Sequence, residues 1–200
     1  MYGIYDNGKI IARFVAPTKV ISNKPVYVSD TLSLKRATFS RTAQRWEIES
    51  NLEPLVASAN ELFVSLVTKG LTETVVVLMP QNYGASIKRT ATTALTGTQA
   101  TASSSSIAVT GNTGTGFIPK GTFIKFSDST HTKVYMTTSD LTGNGSVSIY
   151  PRLLKAVAGT FSYKDDVYMD CLYDTSVVIG MVYTDGILMD TGSIKLVERL

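Results

Sequence analysis

Residues 121–154, GTFIKFSDSTHTKVYMTTSDLTGNGSVSIYPRLL, constrain the fold more than any other stretch. Three short segments in it alternate apolar and polar residues with a period of two. Ile124 and Phe126 flank Lys125; Val134 and Met136 stand against Lys133, Tyr135 and Thr137; Val147 and Ile149 stand against Ser146 and Ser148. That period belongs to a half-buried strand, with the apolar set facing a core and the polar set facing water. Gly143-Asn144-Gly145 separates the second segment from the third, and Asn and Gly accept positive φ at low cost, so the chain turns there. Pro151 has no N–H to give to a ladder and ends the third strand. The expectation is a compact antiparallel meander that interrupts a second layer made from the residues before and after it.

Composition excludes several classes. A chain of 200 residues with 44% hydrophobic and 18% charged residues can bury a real core, unlike a disordered segment. The net charge of +3 is too mild for binding that rests on neutralising many phosphates. One cysteine, Cys171, excludes a disulfide within the chain and fits a reducing compartment. The first residues, MYGIYDNGKIIARFV, lack the basic start and continuous apolar core of a signal peptide, and the longest apolar run, Val75 to Met79, is too short to span a bilayer. The chain reads as a soluble protein folded in cytoplasm.

Around the meander the remaining elements can be placed in order. Asp6-Asn7-Gly8 is a turn, followed by a strand from Lys9 to Val15 that Pro17 bounds. Leu32–Phe39 and Gln44–Glu49 read as strands; in the second, Trp46 and Ile48 point one way and Arg45, Glu47 and Glu49 the other. Ser58-Ala59-Asn60-Glu61 has the form of a capping box, with Leu62, Phe63, Leu66 and Val67 at helical spacing, Lys69 in the last turn and Gly70 placed as a C-terminal cap. This predicts one α-helix over Ala59–Lys69, packed on its sheet through Leu62, Phe63 and Leu66. Thr72–Met79 is a β-branched run stopped by Pro80. Residues 86–116 are rich in small and polar residues and fit a flexible linker, although Ile107 and Val109 alternate as in a strand. Val167–Leu172, Val177–Tyr183 and Ser193–Leu200 follow as strands, with a turn at Asp185-Gly186. The last strands are too few to stand alone, so the expected domains are 1–87 plus 169–200, interrupted by a small barrel-like insertion at 88–168.

No catalytic constellation stands out. His131 is the only histidine; Ser127, Asp128 and Ser129 lie beside it, but in a hairpin loop with no nucleophile elbow, so a solvated loop histidine is expected. Asp165 and Asp166 have the chemistry of an acid/base pair and the position of a turn. Gly111, Gly114 and Gly116 fit neither phosphate-loop spacing, and no helix follows them. Lys35, Arg36, Arg41 and Arg45 form the densest basic cluster, beside Trp46, which could stack on a base; a basic face used in protein contacts is the plainer reading. Catalytic, cofactor-binding and metal-ligating residues are therefore assigned as none.

The succession of these features resembles the distal tail proteins of long-tailed bacteriophages, of the type in which an OB-like domain interrupts a tail-tube-like domain. The stretches that carry it are SDTLSLKRATFSRTAQRWEIE (29–49), ANELFVSLVTKG (59–70), VVVLMPQNYG (75–84), PKGTFIKFSDSTHTKVYMTTSD (119–140), SVSIYPRLL (146–154) and GSIKLVERL (192–200). Within the insertion, Gly121 with Lys125-Phe126, His131 with Lys133-Val134-Tyr135, and Ile149-Tyr150-Pro151 with Leu153 follow the family's pattern. The resemblance implies a mainly β fold: a tail-tube-like sandwich or barrel with one α-helix and a small OB-like barrel inserted. It implies a structural virion protein forming a homo-hexameric ring at the distal end of the tail tube, joining the tube protein to the tip or baseplate hub and fibres. No enzymatic activity or cofactor is implied, DNA passes only as cargo, and weak saccharide binding by the insertion is left open with no residue assigned. Two other classes stay in play: a carbohydrate-binding host-recognition module of a tail fibre, and an OB-type single-stranded nucleic-acid-binding protein.

Overall fold

The computed structural model describes residues 2–30, 36–40, 43–55, 58–69, 72–128, 131–174, 182–184, 187–190 and 192–200. The fold is mainly β, 50% strand and 11% helix, built around two closed six-stranded barrels. The strands in chain order are β1 (Gly3–Asp6), β2 (Lys9–Asn23), β3 (Val26–Asp30), β4 (Arg36–Ser40), β5 (Arg45–Pro54) and β6 (Val75–Leu78), then β7 (Leu95–Gln99), β8 (Ser106–Thr110), β9 (Phe117–Ile118), β10 (Phe123–Phe126), β11 (Val134–Thr137), β12 (Leu141–Thr142), β13 (Gly145–Tyr150) and β14 (Val157–Ser162), and last β15 (Tyr168–Tyr173), β16 (Val182–Thr184), β17 (Ile187–Asp190) and β18 (Ser193–Glu198). Helix α1 spans Ala59–Lys69 and α2 spans Tyr83–Lys88.

The first barrel closes in the order β1-β2-β5-β18-β15-β6. Strands β6 and β15 are hydrogen-bonded neighbours although residues 79–167 separate them in sequence. The ladder continues one step beyond them, where Met79 N donates to Val167 O at 2.9 Å. The second barrel, β10-β11-β13-β8-β7-β14, lies wholly within that excursion. Both chain crossings therefore sit side by side. Each barrel has its own apolar interior: Ile4, Ile11, Ile48, Val77 and Leu196 in the first; Leu95, Ile107, Ile124, Phe126 and Tyr135 in the second.

The turn at Asn7-Gly8 is formed with both residues at positive φ, 45° and 84°, which suits a tight hairpin, and it joins β1 to β2. Strand β2 runs well past Pro17, where the sequence suggested an end. It does so through a break in register between Val15 and Lys19 against β5, which places the residue without an N–H where the ladder is already interrupted. Ser50 Oγ fills the gap, bonding Val15 O at 3.1 Å and Thr18 Oγ1 at 2.9 Å.

Three expectations need correction. Of the two readings of 86–116 the linker fails and the strand through Ile107 and Val109 holds, because the stretch supplies β7 and β8; Leu95, Ile107 and Val109 are buried while Thr98, Ala108 and Thr110 face outward. Small polar residues on a solvated barrel face look like linker composition. Among the described residues there are two helices rather than one. Helix α2 is capped by Asn82, whose Oδ1 accepts from Gly84 N at 2.9 Å, and at six residues it is too short to show an apolar period. Finally, α1 buries Leu62, Ser65 and Leu66 but leaves Phe63 at 39% exposure and Val67 at 58%. At 100° per residue the buried stripe follows i, i+3, i+4 from Leu62, which leaves Phe63 and Val67 on its flank. Glu61 is drawn to Lys9, 2.8 Å away. The expected strand at Leu32–Phe39 is described only over Arg36–Ser40, and Gly70, Val177–Met181 and Asp185-Gly186 lie outside the described residues.

Replacing Leu62, fully buried between α1 and the first barrel, with alanine should cost roughly 2–5 kcal/mol in urea unfolding. Val67→Ser on the exposed flank should change stability by less than about 0.5 kcal/mol.

Candidate functional site: the junction between the barrels

The period-two reading of β11 placed Val134 and Met136 inside and Tyr135 outside. In the structure Tyr135 is fully buried in the second barrel, while Val134 and Met136 pack into the core of the first. Strand β10 is used the same way: Phe123 joins the first core, and Ile124 and Phe126 the second. A strand covered on both faces has no solvent side, so alternation cannot say which face is which.

Trp46, the only tryptophan, is the hub of this seam. It is 4% exposed, its Nε1 donates to Val134 O at 2.8 Å, and Phe123 and Tyr150 meet it edge-on at 5.2 and 6.1 Å. This removes it as a platform for stacking a base. Of the basic cluster read beside it, Lys35 and Arg41 lie outside the described residues, Arg36 is described only as backbone in β4, and Arg45 Nε bonds Glu47 Oε1 at 2.9 Å.

Next to Trp46 two opposite charges are taken out of water together. Lys133 and Glu198 have side chains 1% and 0% exposed and form an ion pair. Lys133 Nζ also donates to Gln44 O at 2.9 Å. The carboxylate takes two backbone donors, Trp46 N on Oε2 at 2.9 Å and Val134 N on Oε1 at 2.8 Å. Burial pushes the Lys133 ammonium below its ordinary value, against the pull of Glu198. Such a pair is tolerable only because further hydrogen bonds meet both of its charges. Its three backbone partners come from both barrels, so it acts as a clamp. Gln81 adds a second tie: its Nε2 donates to Phe123 O and Lys164 O, and its Oε1 accepts from Phe123 N, each at 3.0 Å. Lys125 pairs with Asp170 at 2.9 Å, and Ser22 meets the Tyr150 hydroxyl at 3.0 Å.

Glu47, read from alternation as outward-facing, is 2% exposed. Burial raises its carboxyl, but hydrogen bonds from Asn23, Lys195 and Arg45 outweigh this and leave it below the ordinary carboxylate value.

His131 is also not the solvated histidine expected. It is 4% exposed and packs against Phe126 and Tyr135 at ring separations of 5.6 and 6.4 Å. Its Nε2 is buried without a hydrogen-bond partner, so neither Ser127 nor Asp128 is held on that nitrogen; Ser129 lies outside the described residues. Together with Ser127, Asp128, Asp166 and Asp170 it borders a hollow of about 240 Å³. Burial pushes its imidazole below the usual value, partly opposed by Asp128. Asp165 and Asp166 form an exposed turn, in which Asp166 accepts from Lys164 N at 2.9 Å and Asp165 from the Tyr2 hydroxyl at 3.3 Å. Gly116 is packed against Asn112, whose Nδ2 ties Gly116 O and Gly143 O at 2.9 Å each. A Cβ at Gly116 would overlap that amide, so this glycine serves loop closure; Gly111 and Gly114 lie in the same loop. Among the described residues no group of three or more His, Cys, Asp or Glu side chains is placed to hold a metal ion, and no helix is long and apolar enough to cross a membrane.

The clamp was invisible in the sequence because Lys133 and Glu198 are 65 residues apart and each sits among residues typical of a solvated strand end. Lys133→Met should lower stability by roughly 3–5 kcal/mol in chemical unfolding, because it strands a buried carboxylate. Adding Glu198→Gln should recover part of that loss. The unfolded chain binds a proton at His131 near pH 6.5, while the folded chain resists it. Stability from this group is therefore complete above pH 6.5 and lost as pH falls below it. Melting curves should show this decline, and His131→Leu should flatten it. Compared with known proteins, the chain matches no family model and no curated protein.

Proposed function

We propose that this chain is a structural part of a bacteriophage tail tip, a ring of six copies at the distal end of the tail tube that joins the tube to the tip or baseplate hub and fibres. The observation that carries the reading is where its sheets remain open. Closed barrels have no edges, so neither barrel leaves a ladder to be covered. The β3–β4 and β16–β17 hairpins are different: each forms a separate two-stranded sheet. A lone hairpin is marginal in water and gains from being covered, and heterologous contacts between copies that close on themselves make a ring. The exposed Val64 and Val67 flank of α1 offers further apolar surface. Glu47 is consumed within its own barrel, so charge complementarity between copies falls to groups such as Glu53, which is exposed. A clamp between barrels suits a part that transmits load and does not open. The order of the sequence stretches that resemble distal tail proteins supplies the number six and the location in the virion.

A reconstruction of the tail tip of the particle that carries this chain tests the reading. Six copies around the tube axis are expected, with the hairpins at the contacts between neighbours. Three-fold or asymmetric placement, or absence of the chain from the virion, overturns it.

A further inference from the structure

A groove of about 340 Å³ runs between the barrels, bordered by Lys24, Gln44, Ser105, Tyr150, Pro151 and Arg152. Gln44 also lines an adjoining hollow of about 290 Å³ with Asn23, Arg45 and Leu200. We propose that this groove binds an anionic saccharide unit, a sugar bearing a phosphate or carboxylate group.

Three observations carry the proposal, independently of the assembly reading. First, Lys24 and Arg152 are both exposed, and among the described residues neither is held by a carboxylate; the described lining contains no acidic side chain. An ammonium and a guanidinium fork on one groove suit one anionic group, and the fork matches phosphate and carboxylate alike. Second, Gln44 is 4% exposed, and its amide is only half satisfied. Nε2 donates to Ser22 Oγ at 3.1 Å, while Oε1 has no partner. Whichever way the amide is turned, one end is left over. A sugar hydroxyl, which can donate or accept, satisfies either end once a side-chain rotation brings that end to the groove; an anionic oxygen, which only accepts, satisfies the NH2 end alone. Third, Tyr150 and Pro151 give the groove an apolar wall for the C–H face of a sugar ring. Size agrees as well, since the volume lies in the range of small-ligand clefts, which favour such boundaries between domains.

Single-stranded nucleic acid fits less well. It needs successive aromatic platforms, and Tyr150 is the only aromatic ring among the described residues of this groove, packed on Trp46 and tied through its hydroxyl to Ser22.

Calorimetric titration of the full chain at low salt tests this with four probes at matched millimolar concentrations: glucose 6-phosphate, glucuronate, glucose and a thymidine decanucleotide. Binding of one or both charged sugars without binding of glucose is expected, and the tighter of the two identifies the anionic group. Lys24→Gln and Arg152→Gln should each weaken it about tenfold or more, with melting temperature unchanged because both side chains are exposed. Raising the salt should weaken it too. Equal binding of glucose, unchanged affinity in the double variant, tighter binding of the oligonucleotide, or no heat with either charged sugar would overturn the proposal.

Discussion

An ammonium and a carboxylate buried face to face set the terms for everything around them. Lys133 and Glu198 meet where the barrels touch, and neither could stay charged there without the other. The pair is held by Gln44 O, Trp46 N and Val134 N. Those groups belong to the start of β5 and the start of β11, so satisfying the charges positions both barrels at once. An apolar seam alone would be nearly indifferent to a small rotation of one barrel on the other. A charge pair with directional backbone donors is not, because any slip strands a buried charge.

The seam also changes what each strand has to do. Strands β10 and β11 serve two cores: Phe123, Val134 and Met136 face the first barrel, and Ile124, Phe126 and Tyr135 the second. Neither barrel is then a unit attached by a tether. Excising one would uncover Trp46 or Phe123 and leave a buried charge alone. The two chain crossings, paired at Met79 and Val167 and pinned by Gln81, add no slack. Such a body is suited to holding a fixed geometry between its surfaces, and the barrels' closure leaves the β3–β4 and β16–β17 hairpins and the short β9–β12 pair as the open sheet elements among the described residues.

Burial at this seam explains the unusual electrostatics. Lys133 and His131 both sit below their ordinary values because burial disfavours their charged forms. They differ in what answers them: Lys133 has a partner at contact distance, and His131 Nε2 has none. One is a permanent tie, and the other a place where acid works against the fold.

Local chemistry was enough for much of this architecture. The alternation of Ile124 with Phe126 and of Val147 with Ile149, the turns at Asn7-Gly8 and Gly143-Asn144-Gly145, and the apolar spacing of Leu62 and Leu66 all act within a few residues, and each was legible. The strand through Pro17, the small-residue strand β7 and the six-residue α2 were not, because a register break, a barrel strand of threonine and glycine and a lone cap leave no periodic trace, whereas Ile107 and Val109 betrayed β8. What only the tertiary structure decided is which charged and aromatic residues lose their water. Glu47, His131 and Lys133 all looked accessible in sequence, and all are buried. The burial of Lys133 and Glu198 depends on one barrel closing on the other, and the energy of a buried charge is set by partners up to 152 residues away rather than by neighbours along the chain.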